Sequence, residues 1–401
     1  MRSKILVHKG FLRSFPAVLF AAAVGGSSYA GGISYAAPAD PSYSAFAADH
    51  SPAVSSAADE DAAAEARAES MADAVERYLH AKNYAAATAS ALELTTRYPR
   101  YVAGWMLLGY CRSLTSDFTG SNEAYDRALG LGVKPDLVYS RKAYNHVRLG
   151  DLEEARRCYR SILDVKPKDA ETLAQLAYVE GKLENLDAAA ECYRRALDIS
   201  PDDVDFLVAL ASVEAKRGDD AAVAGLLEKA NLLDPDNTEV LGRLGVIYMK
   251  EKNEKAAIEV LERLVSLDPR DANARRNLGA VYYRMGEKEK ALPAFEKALA
   301  LGGDNDDLYG PLADCYVAVE RTDEALRVIK EGIEDGIQEA WLYSLWGKIL
   351  EDAKDYDGAI AKFSLAVRAG EAPWSDYAQK QIARQSELRN RERIMDGRMQ
   401  P

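Results

Sequence analysis

The sequence predicts an all-α fold, an α-α superhelix (solenoid) of antiparallel helical hairpins stacked with a 34-residue period. Three observations carry this. The stretches RRALDISPDD (194–203), EKANLLDPDN (228–237) and ERLVSLDPRD (262–271) say nearly the same thing, and Pro201, Pro235 and Pro269 stand 34 residues apart. An earlier version is YRSILDVKPKD at 159–169. Counted from Ala68, frames of 34 residues begin at Ala68, Val102, Asp136, Ala170, Val204, Thr238, Ala272, Asp306 and Ala340, without a slip of phase. The composition favours helix, with Ala, Leu, Glu, Lys and Arg prominent, and no alternating run of β-branched residues bounded by turns suggests a strand.

Taken in order, the chain opens with basic residues, then an apolar stretch from Phe15 to Val24, then small residues. Ser28-Tyr29-Ala30 and Ser34-Tyr35-Ala36 both fit a small-x-small cleavage site. This is the layout of a secretory signal peptide over residues 1–30, and its apolar core is short for a membrane span. An uncleaved anchor and an organelle transit peptide share parts of the pattern. No cysteine follows the apolar core, which argues against a lipoprotein anchor. Export to a bacterial periplasm or cell envelope is expected, with secretion as the alternative. Residues 31–60 are rich in Ala, Ser, Pro and Gly and bury too little apolar surface to offset their ordering entropy, so they read as a flexible tether.

Within the frames, which run over residues 68–373, the chemistry recurs. Position 8 is small in Gly109, Ala143, Ala177, Ala211, Gly245, Gly279, Ala313 and Gly347, and departs only at Val75. Position 20 is small in all but Val223. Position 24 is bulky, as in Tyr125, Tyr159, Tyr193, Leu261, Phe295 and Phe363. Small residues let two helices approach, and large ones fill the gaps. Polar turns such as LGDLEE (149–154) and RMGEKE (284–289) separate the two helices of a frame. Glycine suits the end of the first helix and Asp or Asn caps the second. Proline ends the second helix because it lacks an N–H and disfavours helix before it. Pro293 and Pro311 fall inside expected helices and should cost a hydrogen bond or bend them. Residues 374–401 read as a C-terminal capping helix, Ser375 to about Arg393, and a tail. Tyr377, Ala378, Ile382 and Leu388 give that helix one weak apolar face, and Arg389, Arg391 and Arg393 read as a solvated face.

This pattern resembles the tetratricopeptide repeat family. Leu173, Leu176, Ala177, Ala189, Tyr193, Ala196 and Pro201 stand at signature positions of one frame. Gly245, Tyr248, Ala257 and Pro269, then Leu278, Gly279, Tyr282, Ala291, Phe295 and Ala298, follow it in two others. The resemblance implies nine repeats that bury their apolar faces only against one another. It also implies a non-catalytic scaffold that binds a protein or extended peptide in a concave groove lined by the first helices.

No nucleotide, hydrolase or zinc-protease motif is present. No two of His50, His80 and His146 share a helix face with a carboxylate or cysteine at ligand spacing. No cofactor or metal is therefore expected, and no enzymatic activity. Cys111, Cys158, Cys192 and Cys315 form no CxxC pair and read as small buried thiols, although a disulfide stays open in an oxidising compartment. Net charge is −13; the first thirty residues hold four basic side chains and no acid, so their removal takes it to −17. An acidic chain of this kind is a poor binder of nucleic acid.

In proteins this chain resembles, the groove is lined mainly from positions 2, 5, 9, 12 and 13. Position 9 holds Tyr110, Tyr144 and Tyr178 in successive frames, and position 13 holds Arg148, Lys182, Lys216, Lys250 and Arg284. Arg276 and Tyr283 extend the set in the seventh frame. A basic stripe beside a tyrosine ladder would suit an acidic or extended peptide, or an anionic polysaccharide, because aromatic faces stack while cations pair with carboxylates. The Lys/Asn clamp of chaperone-binding relatives is not matched, since position 5 reads Ala72, Met106, Ser140, Ala174 and Val208. The asparagine ladder of sugar-transferase arrays is absent as well. An accessory role in polysaccharide biosynthesis or export, contacting an anionic polymer or its synthase, is the alternative to a protein scaffold.

Overall fold

The structure is a computed structural model that describes residues 58–302, 308–337, 339–370 and 374–395. The expected leader, 1–30, and all but the end of the expected tether, 31–60, lie outside the described residues. Among the described residues every regular element is an α-helix. The chain divides into two compact units, the first ending at Leu226 and the second beginning at Leu227.

The first unit contains α1 (Ala58–His80), α2 (Tyr84–Arg97), α3 (Val102–Leu114), α4 (Phe118–Gly130), α5 (Pro135–Leu149), α6 (Leu152–Val165), α7 (Ala170–Lys182), α8 (Leu186–Ile199) and α9 (Val204–Arg217). Helix α10 (Asp220–Leu233) runs across the boundary. The second unit contains α11 (Thr238–Lys250), α12 (Glu254–Leu267), α13 (Ala272–Arg284), α14 (Lys288–Ala300), α15 (Tyr309–Ala318), α16 (Thr322–Glu334), α17 (Ala340–Asp352), α18 (Tyr356–Ala369) and α19 (Trp374–Met395). In both units each helix packs on its neighbours in sequence, which is the arrangement of stacked hairpins.

The position-8 and position-24 pairing explains the close approach within a hairpin. A Cβ at Gly109 would lie 2.5 Å from the Tyr125 ring, and one at Gly279 would lie 2.6 Å from Phe295. Gly245 and Gly347 meet Leu261 and Phe363 in the same way. Tyr125, Phe295 and Phe363 are accordingly fully buried.

The turn between the helices of a hairpin has one conformation throughout. Its position 15 has positive φ in every frame: Gly150, Gly218 and Gly286, but also Lys82, Ser116, Glu184, Lys252, Glu320 and Lys354. The next residue stands just before the second helix, and Asn83, Asp117, Asn253 and Asp355 there each accept a bond from the backbone N–H three residues on. Six of the nine turns thus tolerate a side chain where glycine is the relaxed choice.

Four features depart from the sequence reading. Helix α1 begins at Ala58, ten residues before the first frame. Helix α15 begins at Tyr309, so Pro311 falls in its first turn, where the N–H has no helical partner to lose. Pro293 lies inside α14, which stays one continuous helix from Lys288 to Ala300. The arginines of α19 are also tied down more than a solvated face would be. Arg389 and Arg393 both reach Asp357 of α18, at 2.9 and 3.1 Å, and hold its carboxyl below the usual range. Ala378 and Gln385 of α19 are fully buried, and Tyr377 and Ile382 pack against Phe363 and its neighbours.

Candidate functional site

A first helix presents residues four apart on one face, so positions 9 and 13 of a frame are neighbours. In α5, Arg148 Nη1 donates to the Tyr144 hydroxyl at 3.0 Å, and its guanidinium also faces the ring. In α7, Lys182 Nζ lies 5.5 Å from the centroid of Tyr178. The spacing that aligned these residues in sequence therefore pairs them in space.

Three of the expected residues meet in one cleft of about 140 Å³ in the first unit. Tyr110, Tyr144 and Arg148 line it, together with Ser113, Ser116, Phe118, Tyr125 and Arg141. Arg148 sits 5.1 Å from the Phe118 ring centroid, and Phe118 meets Tyr144 edge to face at 6.4 Å. Arg141 is buried and lies 5.1 Å over Tyr110 of the preceding frame. Burial pushes the Tyr125 hydroxyl up to about 12, against the pull of Arg141. The lining holds two guanidiniums, three partly exposed aromatic rings and no carboxylate. Such a cleft can pair with an anion and stack on a planar or apolar group.

The other expected residues separate into two groups. Lys182 and Lys216 are exposed on α7 and α9 of the first unit, and Lys250 is exposed on α11 of the second. Arg276 is half-buried on α13. Tyr283 and Arg284 serve the stacking of repeats. Tyr283 donates to Asp314 at 2.7 Å, which Lys288 also reaches, and its hydroxyl is raised above the ordinary tyrosine range by burial and that bond. Arg284 donates to the Met249 carbonyl at 2.9 Å in the preceding frame.

Sequence reasoning missed Phe118 and Arg141. Phe118 opens a second helix, outside the positions scanned for a groove, and Arg141 stands at position 6, scanned only for asparagine. The lone signal for Arg141 was a charged residue where Leu107 and Ala209 stand in other frames.

All four cysteines are buried and unpaired. Burial pushes the Cys111 and Cys315 thiols up to about 12 and Cys158 to about 11, which keeps them protonated and inert. Among the described residues no group of three His, Cys, Asp or Glu side chains could hold a metal ion, and no helix is long and apolar enough to cross a membrane.

Three family models described as tetratricopeptide repeat match the chain. One covers residues 244–309, one 140–204 and 174–230, and one 282–343. No curated protein matches. Among solved structures, a tetratricopeptide repeat protein from Parabacteroides merdae is 19% identical, with 63% of this chain and 99% of that one covered and a TM-score of 0.43. Pseudomonas aeruginosa pilF is 23% identical, with 53% and 97% covered and a TM-score of 0.43. YrrB, described as a TPR protein with an unusual peptide-binding site, is 20% identical, with 46% and 95% covered and a TM-score of 0.42. The matched models fall in both units, and the hairpins of both units carry the same small-on-large packing and the same positive-φ turn. By its sequence period, its stacked helical hairpins and these models, the chain belongs to the tetratricopeptide repeat family.

Proposed function

We propose that this protein is a non-catalytic interaction scaffold, exported to a bacterial periplasm or cell envelope, that grips an extended segment of a partner protein on its first helices. The observation that carries the reading is the cleft of Tyr110, Phe118, Arg141, Tyr144 and Arg148 in the first unit, where two guanidiniums and three partly exposed aromatic rings line one opening. The exposed ammoniums of Lys182 and Lys216 continue the basic character in the next two frames. A peptide backbone with an acidic or aromatic side chain suits that surface, because the ring faces stack and the guanidiniums form charge-assisted hydrogen bonds. The basic, then apolar, then small N-terminal sequence supports export.

The test is a pull-down from envelope extract with the full chain beside a variant carrying Arg148→Ser, Lys182→Ser and Lys216→Ser. Arg284 is left intact because its bond to Met249 holds two repeats together. A protein retained by the wild type and lost by the variant, at unchanged helical circular dichroism, supports the reading. Equal retention by both moves the binding face elsewhere. Retention of a polysaccharide in place of a protein favours the polymer-export alternative.

A further inference from the structure

From the third frame to the eighth, five consecutive junctions are pinned by a side-chain pair twenty residues apart, from position 25 of one frame to position 11 of the next. The pairs are Arg160 with Glu180 at 2.9 Å, Arg194 with Glu214 at 2.6 Å, Glu228 with Tyr248 at 3.0 Å, Glu262 with Tyr282 at 2.6 Å, and Glu296 with Tyr316 at 2.8 Å. Between the last two frames the same places hold Lys330 and Leu350, and a leucine accepts no hydrogen bond. Lys330 Nζ lies instead 5.9 Å from the ring centroid of Trp346, and Lys362 Nζ lies 3.5 Å from it. Among the described residues neither ammonium forms an ion pair or hydrogen bond with a carboxylate. Lys362 is half-buried, and burial together with the charge of Lys330 lowers its basicity. In a chain of net charge −13, two cations crowd one indole without a counter-charge.

We propose that Lys330, Trp346 and Lys362 form a docking site for an acidic segment of a partner protein. A carboxylate seated between the two ammoniums relieves their mutual repulsion and completes the seam that Leu350 leaves open. The half-buried indole offers an apolar face to the side chain beside that carboxylate. A polyanionic polymer is the weaker fit, since such polymers draw affinity from many cations and this site supplies two. The site lies in the second unit, and it goes beyond the cleft of the first.

The test uses the full chain and a fluorescein-labelled pentapeptide, Glu-Glu-Phe-Glu-Glu, read by fluorescence anisotropy. Substituting Lys330→Met and Lys362→Met together keeps the aliphatic stems against Trp346 and removes a like-charge pair, so the fold is not put at risk. The double variant should weaken binding by about tenfold, the loss expected when charge pairs across an interface are removed. Lys255→Met, at an exposed lysine of α12, should leave binding unchanged. A Gln-Gln-Phe-Gln-Gln peptide should bind as weakly as the double variant binds the acidic one. The proposal is overturned if wild type does not bind the acidic peptide, or if the double variant binds it equally well. A loss of binding in Lys255→Met as large as in the double variant would overturn it too, by making the effect one of overall charge. So would tighter binding of a sulfated polysaccharide than of the peptide, which would make the site a polyanion surface.

Discussion

Five consecutive junctions, from the third frame to the eighth, use the same pair of positions with opposite chemistry in the two units. In the fourth and fifth frames, in the first unit, position 11 is a carboxylate, Glu180 or Glu214, each only 2% exposed and reached by arginines from position 25 and from nearby turns of helix. In the sixth to eighth frames, in the second unit, position 11 is a tyrosine that donates to a carboxylate at position 25. The exchange falls at the boundary between the units, between Glu214 and Glu228. The geometry of the stack thus fixes where a bond is needed and leaves open which partner brings the charge. The energetics differ all the same. A buried carboxylate depends on its cations, whereas a hydroxyl such as that of Tyr248, donating at the surface, loses only one hydrogen bond when removed.

The largest effect expected from this contrast comes from stripping Glu214 of its cations. Arg194→Ala with Arg217→Ala leaves a buried carboxylate without a counter-charge and should cost about 3 kcal/mol. Tyr248→Phe in the second unit should cost about 1 kcal/mol. Because stacked repeats open locally, amide hydrogen exchange in the helices concerned is the proper readout. Equal losses would mean that the two seams are energetically interchangeable, and the contrast would fail.

Hairpin packing, by comparison, should not distinguish the units. Gly109→Ala and Gly279→Ala each force a methyl against a buried ring, Tyr125 in one unit and Phe295 in the other. Each should destabilise by about 2 kcal/mol, the usual result of overpacking. A clear inequality, measured by the same exchange experiment, would show that one unit can shift its helices and the other cannot.

Alkaline pH separates the seams by titration. Burial and the bond to a glutamate raise the hydroxyls of Tyr248, Tyr282 and Tyr316 from about 10 to about 12. The folded state therefore favours the neutral phenol. Its contribution is complete below pH 10 and is lost as pH rises through 12. Buried Tyr125 shifts similarly in the first unit, so total alkaline unfolding is shared. The specific expectation concerns a variant with all three seam tyrosines changed to Phe. Its helical circular dichroism should fall less between pH 10 and 12 than that of wild type. An identical fall would place the alkaline weakness outside these seams.

Most of the architecture was legible because it repeats. A 34-residue period, small residues at position 8 and bulky ones at position 24 are local and recurrent, so Gly109 over Tyr125 could be read before any coordinates. The seam pairs were legible in principle: Arg160 and Glu180 stand the same twenty residues apart as Glu262 and Tyr282. They were overlooked because the residue types change from frame to frame while only their complementarity persists. The cleft was half legible. Tyr110, Tyr144 and Arg148 lie on a repeated face, but Phe118 and Arg141 join them through tertiary packing that no period announces. Arg284 misled for the converse reason. Its position matches Arg148, yet a backbone carbonyl in the neighbouring repeat captures it.

The smallest expected effect tests whether the turns, unlike the seams, are the same in both units. Position 15 is left-handed in all nine frames, and Glu184 in the first unit and Lys252 in the second hold φ of 61° and 57° there. A side chain in that region costs about 1–2 kcal/mol. Replacing it with glycine removes that strain but adds about 0.4–1 kcal/mol of unfolded-chain entropy. Glu184→Gly and Lys252→Gly should therefore each stabilise by roughly 0.5 kcal/mol, read as a small gain in exchange protection of the flanking helices. A gain in both units fits one strained turn reused throughout. A loss in either would mean that the side chain there holds the turn by contacts worth more than the strain, and the turns would then differ between the units as the seams do.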